Sequence, residues 1–302
     1  MIRPAELPRA LARCVAALTI ALIALGGAVH ATGSSLACPD WPSCHGELLP
    51  EMTGGVAWEH GHRLLAGLVA ALTAALAWAA YRRRAAAPRA ARLAAVALAL
   101  VLLQAVLGGV TVLLELPAAV STLHLTVAMV FASVVTLLAA DRARAAASRR
   151  ARALVGAAWL ALFAQVVLGG VVRHTGSAMA CGVDPVLCGG EAWPAFGMAQ
   201  LQMLHRAGAL VVLALLSVAC ASVAAAGPLV RRLVGTTIAL TLAQIALGVM
   251  SVVQALPVAA VTAHLAVAAL LLSVWTLLGV RTGVLGRAGD EVASQRAPLS
   301  RP

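Results

Sequence analysis

Eight histidines occur in the 302 residues, and four of them stand where imidazole does chemistry. His62 and His205 open apolar runs, while His124 and His264 each lie seven residues beyond a proline, Pro117 and Pro257. A coordinating or ionisable side chain inside an apolar run that crosses a bilayer is costly, and it marks function. Two neutral imidazoles facing each other across a four-helix bundle are the usual axial pair of a low-spin heme, and imidazole is a natural ligand for iron. The plainer role, a hydrogen bond between helices, would account for a single histidine. Two repeated pairs are better explained as iron ligands. Zinc fits less well, because no third or fourth ligand lies at metal spacing.

Around these pairs the two halves of the chain differ in one ionisable group. Glu59 precedes His62 by three residues in WEHGHR, whereas Gln202 holds the matching place in LQMLHR. Residues i and i+3 share a helix face, so a second helix starting near residue 58 would point Glu59 toward whatever His62 touches. A carboxylate there can accept protons or stabilise a developing cation, which an amide cannot. The competing role for Glu59 is an acid favoured by the dipole at a helix N-terminus. His60, off the His62 face, is expected in a loop. Arg63 and Arg206 directly follow His62 and His205, as partners for heme propionates or as interfacial anchors. Gly26, Gly27, Gly108, Gly109, Gly169, Gly170, Gly208 and Gly248 leave room for a flat macrocycle or, equally well, for close helix packing.

Six cysteines complete the reactive set. Cys14 and Cys220 sit inside apolar runs and read as small apolar residues. Cys38 and Cys44 bracket CPDWPSC, and Cys181 and Cys188 bracket CGVDPVLC. These spacings match neither zinc nor iron-sulfur motifs. Four cysteines formally allow three pairings, and in an oxidising compartment two short disulfides within the loops are expected. Spacing does not decide whether the Cys38 and Cys44 pair staples its loop or carries electrons.

The elements that must position these residues are membrane spans. Hydrophobic residues make up 62% of the chain and charged residues 11%, with a mean hydropathy of +0.96, outside the range of soluble domains. Apolar runs of about 20 residues fall near 12–32, 62–80, 92–114, 118–140, 152–172, 203–225, 232–254 and 258–280. The net charge of +11 does not indicate nucleic-acid binding, because the basic residues, all arginine, fall in bursts between these runs without interleaved aromatics. Alternate connections hold 19 of the 22 arginines and 4 of the 11 acids, so the two faces carry 19 − 4 = +15 and 3 − 7 = −4. By the positive-inside rule both termini are cytoplasmic, and the histidines, Glu59 and the paired cysteines lie at the outer side.

An internal repeat organises the chain. LGGAVHATGSSLAC at 25–38 returns as LGGVVRHTGSAMAC at 168–181, an offset of 143, and Gln104–His124 returns at Gln244–His264, an offset of 140. A signal peptide over residues 1–32 competes with a first span, but that segment has an internal counterpart. Four spans per unit bring both units into the membrane from the same side, unlike inverted-repeat transporters. The expected fold is therefore an all-α integral membrane protein with eight transmembrane helices arranged as two parallel-repeat four-helix bundles. The expected divisions are an N-terminal half at 1–145 with substrate and catalytic residues, a C-terminal half at 146–282 with a cofactor site, and a cytoplasmic tail at 283–302.

Taken together, CPDWPSC, the Glu59-x-x-His62-Arg63 element and the repeated LGG, HTGS, HR and single-histidine positions over residues 12–280 resemble the heme A synthase family. The resemblance implies oxidation of the C8 methyl of heme O to the formyl group of heme A, by successive hydroxylations, for cytochrome oxidase. It implies His205 and His264 as axial ligands of heme b, His62 and His124 as holders of the substrate heme, and Glu59 as the carboxylate needed for oxidation. It also implies a redox role for Cys38 and Cys44 in one bacterial subgroup. Heme O synthase and cytochrome oxidase assembly factors are the partners it suggests, with a homo-oligomer as a candidate assembly. Two other classes use some of the same residues. A diheme cytochrome that only transfers electrons would have no use for Glu59, and a transporter of parallel repeats would need a polar path through the cytoplasmic half.

Overall fold

A computed structural model describes residues 7–141 and 145–285. Of the proposed tail, 286–302 lies outside the described residues, as do Arg3, Glu6, Arg142, Arg144, Arg287, Asp290, Glu291, Arg296 and Arg301 of the charge tally. The described residues form eight α-helices: α1 (Leu7–Ala31), α2 (Gly54–Tyr81), α3 (Pro88–Leu113), α4 (Ala118–Ala139), α5 (Arg149–His174), α6 (Gly197–Val223), α7 (Pro228–Val253) and α8 (Val258–Arg281). Each is long and apolar enough to cross a membrane, and no extended strand occurs among them. The all-α, eight-span expectation is borne out. Helices suit this environment because they satisfy every backbone polar group internally. Hydroxyls follow the same rule: Thr19, Thr73 and Thr136 each donate to the carbonyl four residues back, at 2.7 Å.

Sequence-encoded ends set the helix boundaries. Pro88 and Pro228 occupy first-turn positions, where a missing N–H costs nothing, and the Ser148 hydroxyl caps α5 by accepting from the Ala151 amide at 3.1 Å. Between α3 and α4, Glu115 and Leu116 have φ of 57° and 64°; between α7 and α8, Ala255 and Leu256 have φ of 54° and 62°. Two successive left-handed non-glycine residues are unusual. They turn the chain sharply ahead of Pro117 and Pro257, with the Leu116 amide on the Thr111 carbonyl and the Leu256 amide on the Ser251 carbonyl.

Within the first half α1 packs on α2 and α4, and α3 packs on α2 and α4; the second half repeats these pairings. The halves meet where α1 contacts α8, α5 contacts α4, and α4 contacts α8. Repeat-equivalent helices thus exchange places across the junction. The largest core cluster spans this junction and centres on the fully buried Trp275, whose indole donates to the Val155 carbonyl at 3.0 Å. Val15, Val69, Ala97, Val101, Phe131 and Val135 form the smaller core of the first half.

Candidate functional site

Each half brings two of the four histidines near each other. His62 of α2 lies within electrostatic reach of His124 of α4, and His205 of α6 within reach of His264 of α8. Each ring faces a glycine on a neighbouring helix. A Cβ built on Gly26 would stand 3.0 Å from the His62 ring, on Gly108 3.4 Å from His124, on Gly169 2.9 Å from His205, and on Gly248 3.1 Å from His264. The adjacent glycines have a different task. Gly27 of α1 receives Leu265 of α8, and Gly170 of α5 receives Leu125 of α4, so the second glycine of the LGG in α1 and in α5 brings the halves together. Sequence left room for a macrocycle and close helix packing as alternatives; the first glycine of the pair does neither alone, since it seats an imidazole.

Secondary contacts distinguish the two pairs. The Gln165 amide lies 3.0 Å from His205 Nδ1 and donates to the His205 carbonyl at 2.7 Å, and the Gln244 amide lies 3.1 Å from His264 Nε2. In the first half the position 143 residues before Gln165 is Leu22, and Gln104 reaches only the His124 carbonyl, at 2.9 Å. Nδ1 of His62, His124 and His264 is buried without a hydrogen-bond partner. Unsatisfied buried imidazole nitrogens call for an explanation, and a metalloporphyrin seated between the paired rings fits their donor chemistry.

Glu59 and Arg63 tie the first outer loop to α2. One Glu59 carboxylate oxygen accepts from the Cys38 amide at 2.8 Å, and the other from Arg63 at 2.5 Å. Arg63 also donates to the carbonyls of Asp40 (2.7 Å), Cys38 (3.2 Å) and Ser43. In the second half Gln202 accepts from the Cys181 amide at 2.8 Å and donates to the Ala178 carbonyl at 2.7 Å. Arg206 reaches the Leu187 carbonyl at 3.1 Å and keeps Nη2 buried and unpartnered. Helix α2 begins at Gly54 and has no acid in its first turn, which removes the N-terminal dipole role for Glu59. The loop expected at His60 is corrected: His60 is helical and 3% exposed.

Both cysteine pairs are disulfides within their loops, Cys38–Cys44 with an S–S distance of 2.00 Å and Cys181–Cys188 with 2.14 Å. The loops are held at their acids. Ser43, Gly46 and His45 donate to Asp40 and hold its carboxyl down at about 2, and the Val186 and Leu187 amides hold Asp184 below the ordinary carboxylate range.

Sequence reasoning missed three residues. His30 of α1 and His174 of α5 meet edge to face across the junction of the halves, with ring centroids 5.5 Å apart, and His174 Nδ1 lies 3.0 Å from the Thr122 hydroxyl, two residues before His124. They fall one position out of register in the repeat, so a comparison of aligned positions passes over them. Trp41 packs from the first loop onto Gly109, where a Cβ would lie 2.8 Å from the indole. The signal for it was available in CPDWPSC, beside a glycine pair.

An eight-span bundle with a histidine pair in each half and disulfide-closed loops defines a multi-pass membrane protein. Residues 9–276 match the family model of the COX15-CtaA cytochrome oxidase assembly proteins. The chain is 34% identical to the heme A synthase of Bacillus pumilus over 63% of its own length and 67% of that protein's. It is 33% identical to the heme A synthase of Symbiobacterium thermophilum over 68% and 72%. With the heme A synthase of Geobacillus kaustophilus it shares 29% identity over 94% and 95%. The chain belongs to the heme A synthase family.

Proposed function

We propose that the protein is a heme A synthase, an oxidoreductase that converts the C8 methyl of heme O to the formyl group of heme A by two successive hydroxylations. Family membership supports the reaction. His205 and His264 hold heme b as a resident cofactor, and His62 and His124 receive heme O. The observation that carries this division is the unequal support of the rings. Gln165 and Gln244 stand beside the second-half imidazoles, and a glutamine turned with its amide oxygen toward the ring accepts the N–H of a ligated imidazole. In the first half Gln104 reaches only the His124 carbonyl and, among the described residues, no side-chain amide stands at His62, which leaves these rings freer to release a product. When bound, heme b supplies one-electron redox capacity beside the substrate site.

The chain's own residues prepare the substrate site. Arg63 keeps the Glu59 carboxylate under the Cys38–Cys44 loop, so a negative charge stands on α2 one turn before His62. There it stabilises positive charge that develops as the methyl group is oxidised, or takes a proton from it. Trp41, seated on Gly109 next to the glycine that faces His124, closes the loop over the same side. Arg206, with a free buried guanidinium nitrogen, is the propionate partner in the second half; Arg63 is engaged by the loop. The domain limits of 1–145, 146–282 and 283–302, the parallel insertion of the halves and the cytoplasmic termini belong to this reading.

Heme extraction and chromatography from cells with and without the protein test the reaction directly. Heme A is expected only with the protein, and heme A formed equally without it overturns the proposal. His205→Ala should abolish the b-type absorption spectrum of the purified protein, and an unchanged spectrum would refute the ligand assignment.

A further inference from the structure

The two outer loops are built alike, yet their disulfides rest on different residues. Cys181–Cys188 packs against Ala199 and Met203 of α6, an apolar seat of the kind a staple needs. The residue 143 positions before Met203 is His60. Cys38 and Cys44 are 0% exposed, and one ring nitrogen of His60 and both sulfurs lie within 4.8 Å of one another. His60 Nε2 is 3.0 Å from the Leu48 carbonyl. A carbonyl only accepts, so Nε2 carries the ring proton and Nδ1 keeps its lone pair. That lone pair is buried with no hydrogen-bond partner, and a disulfide has no proton to offer it. Met203 shows that the loop closes without an imidazole, so stapling does not account for His60.

We propose that Cys38, Cys44 and His60 form a site for one thiophilic closed-shell cation, Cu(I) or Zn(II), when the loop is in its dithiol form. The two thiols release their protons to solvent, and two thiolates and the imidazole lone pair bind the cation, a donor set that both ions favour. Metal–sulfur bonds of about 2.3 Å and a metal–nitrogen bond of about 2.0 Å set the two sulfurs roughly 4 Å apart, so the sulfurs separate once the S–S bond opens, while the imidazole nitrogen stays within its present 4.8 Å limit. No fourth cysteine, histidine or carboxylate joins the group among the described residues. This suits three-coordinate Cu(I), or Zn(II) completed by one water. The disulfide is the metal-free, oxidised form of the same loop. Reaching it removes one electron from each thiolate, forms the S–S bond and frees the cation with its charge unchanged. A disulfide on a partner protein takes up the two electrons and two protons and becomes a dithiol.

The test uses the full chain in detergent, reduced with a phosphine, freed of reductant under anaerobic conditions, and titrated separately with Cu(I) and Zn(II) against a chromophoric chelator. Alkylation and mass spectrometry count the free thiols of each loop in the same samples. One cation per chain is expected, protecting Cys38 and Cys44 from alkylation. Binding should weaken by at least about tenfold in His60→Leu, which removes the nitrogen and keeps an apolar side chain of the kind Met203 supplies in the second half, and should be unchanged when Cys181 and Cys188 are both serine. The arm that binds identifies the cation. Equal binding by His60→Leu, binding that follows Cys181 and Cys188, or failure of both arms overturns the proposal. A Cys38–Cys44 bond that survives reduction overturns it as well, because the site requires that bond to open.

Discussion

Glu59 and Gln202 accept the same hydrogen bond from equivalent loop amides, Cys38 and Cys181, and differ in charge and in the arginine that only Glu59 pairs with. Glu59→Gln should keep the loop tethered and the b-type spectrum intact while cells accumulate heme O, and normal heme A in that variant would remove the carboxylate from the chemistry. Gly169→Ala places a methyl against the His205 ring that Gln165 already fixes. It should cost about 1–3 kcal/mol and weaken heme retention, read as lost b-type absorbance in purified protein. At Asp40, whose ordinary carboxyl value is near 3.8 and which the loop holds at about 2, the depressed value means the turn gains from the ionised form above pH 4. That gain disappears as pH falls through 2. The protection of the Gly46 amide against hydrogen exchange, relative to the intrinsic rate at each pH, should therefore hold down to pH 4 and fall below it. At this scale the four site histidines were legible because a bilayer makes any imidazole conspicuous. His60 was not, since its helical turns lie among polar residues that a hydropathy window rejects.

Helices α2 and α6 begin at Gly54 and Gly197, well before the apolar runs at 62 and 203. Their first turns project beyond the apolar stretch and are covered by the disulfide loops, which is why His62 and His205 stand about two turns inside their helices. Span count was legible from composition, but these extra turns depend on tertiary bonds from Glu59, Arg63 and Gln202 to the loops. The turns before Pro117 and Pro257 were also beyond sequence reading, because nothing in Glu-Leu-Pro or Ala-Leu-Pro signals two left-handed residues. Ala255→Gly removes the side-chain penalty at φ of 54°, and it should stabilise the protein by about 1 kcal/mol, visible as a higher Tm in detergent. No gain in Tm would show that the turn is already relaxed. Gln165→Leu, which gives the second half the residue of the first, should make bound heme b easier to extract.

Across the whole molecule the repeat was the most legible feature, and the way the repeats dock was the least. The offset of 143 shows that two units exist, but only side-chain contact reveals that Gly27 seats Leu265 and Gly170 seats Leu125. Gly170→Ala would press on Leu125 and loosen the junction, lowering Tm more than an alanine at Gly67, which has open space before it. Each of these contacts is the other's image under exchange of the halves, the reciprocity that characterises an isologous dimer interface. The chain is in effect a dimer joined by a covalent tether. A symmetric dimer must carry any mutation in both of its sites at once; the tether lifts that restriction. Glutamate and histidine could settle beside one disulfide while glutamine and methionine remained beside the other, so that a substrate site and a cofactor site could separate without any change of fold.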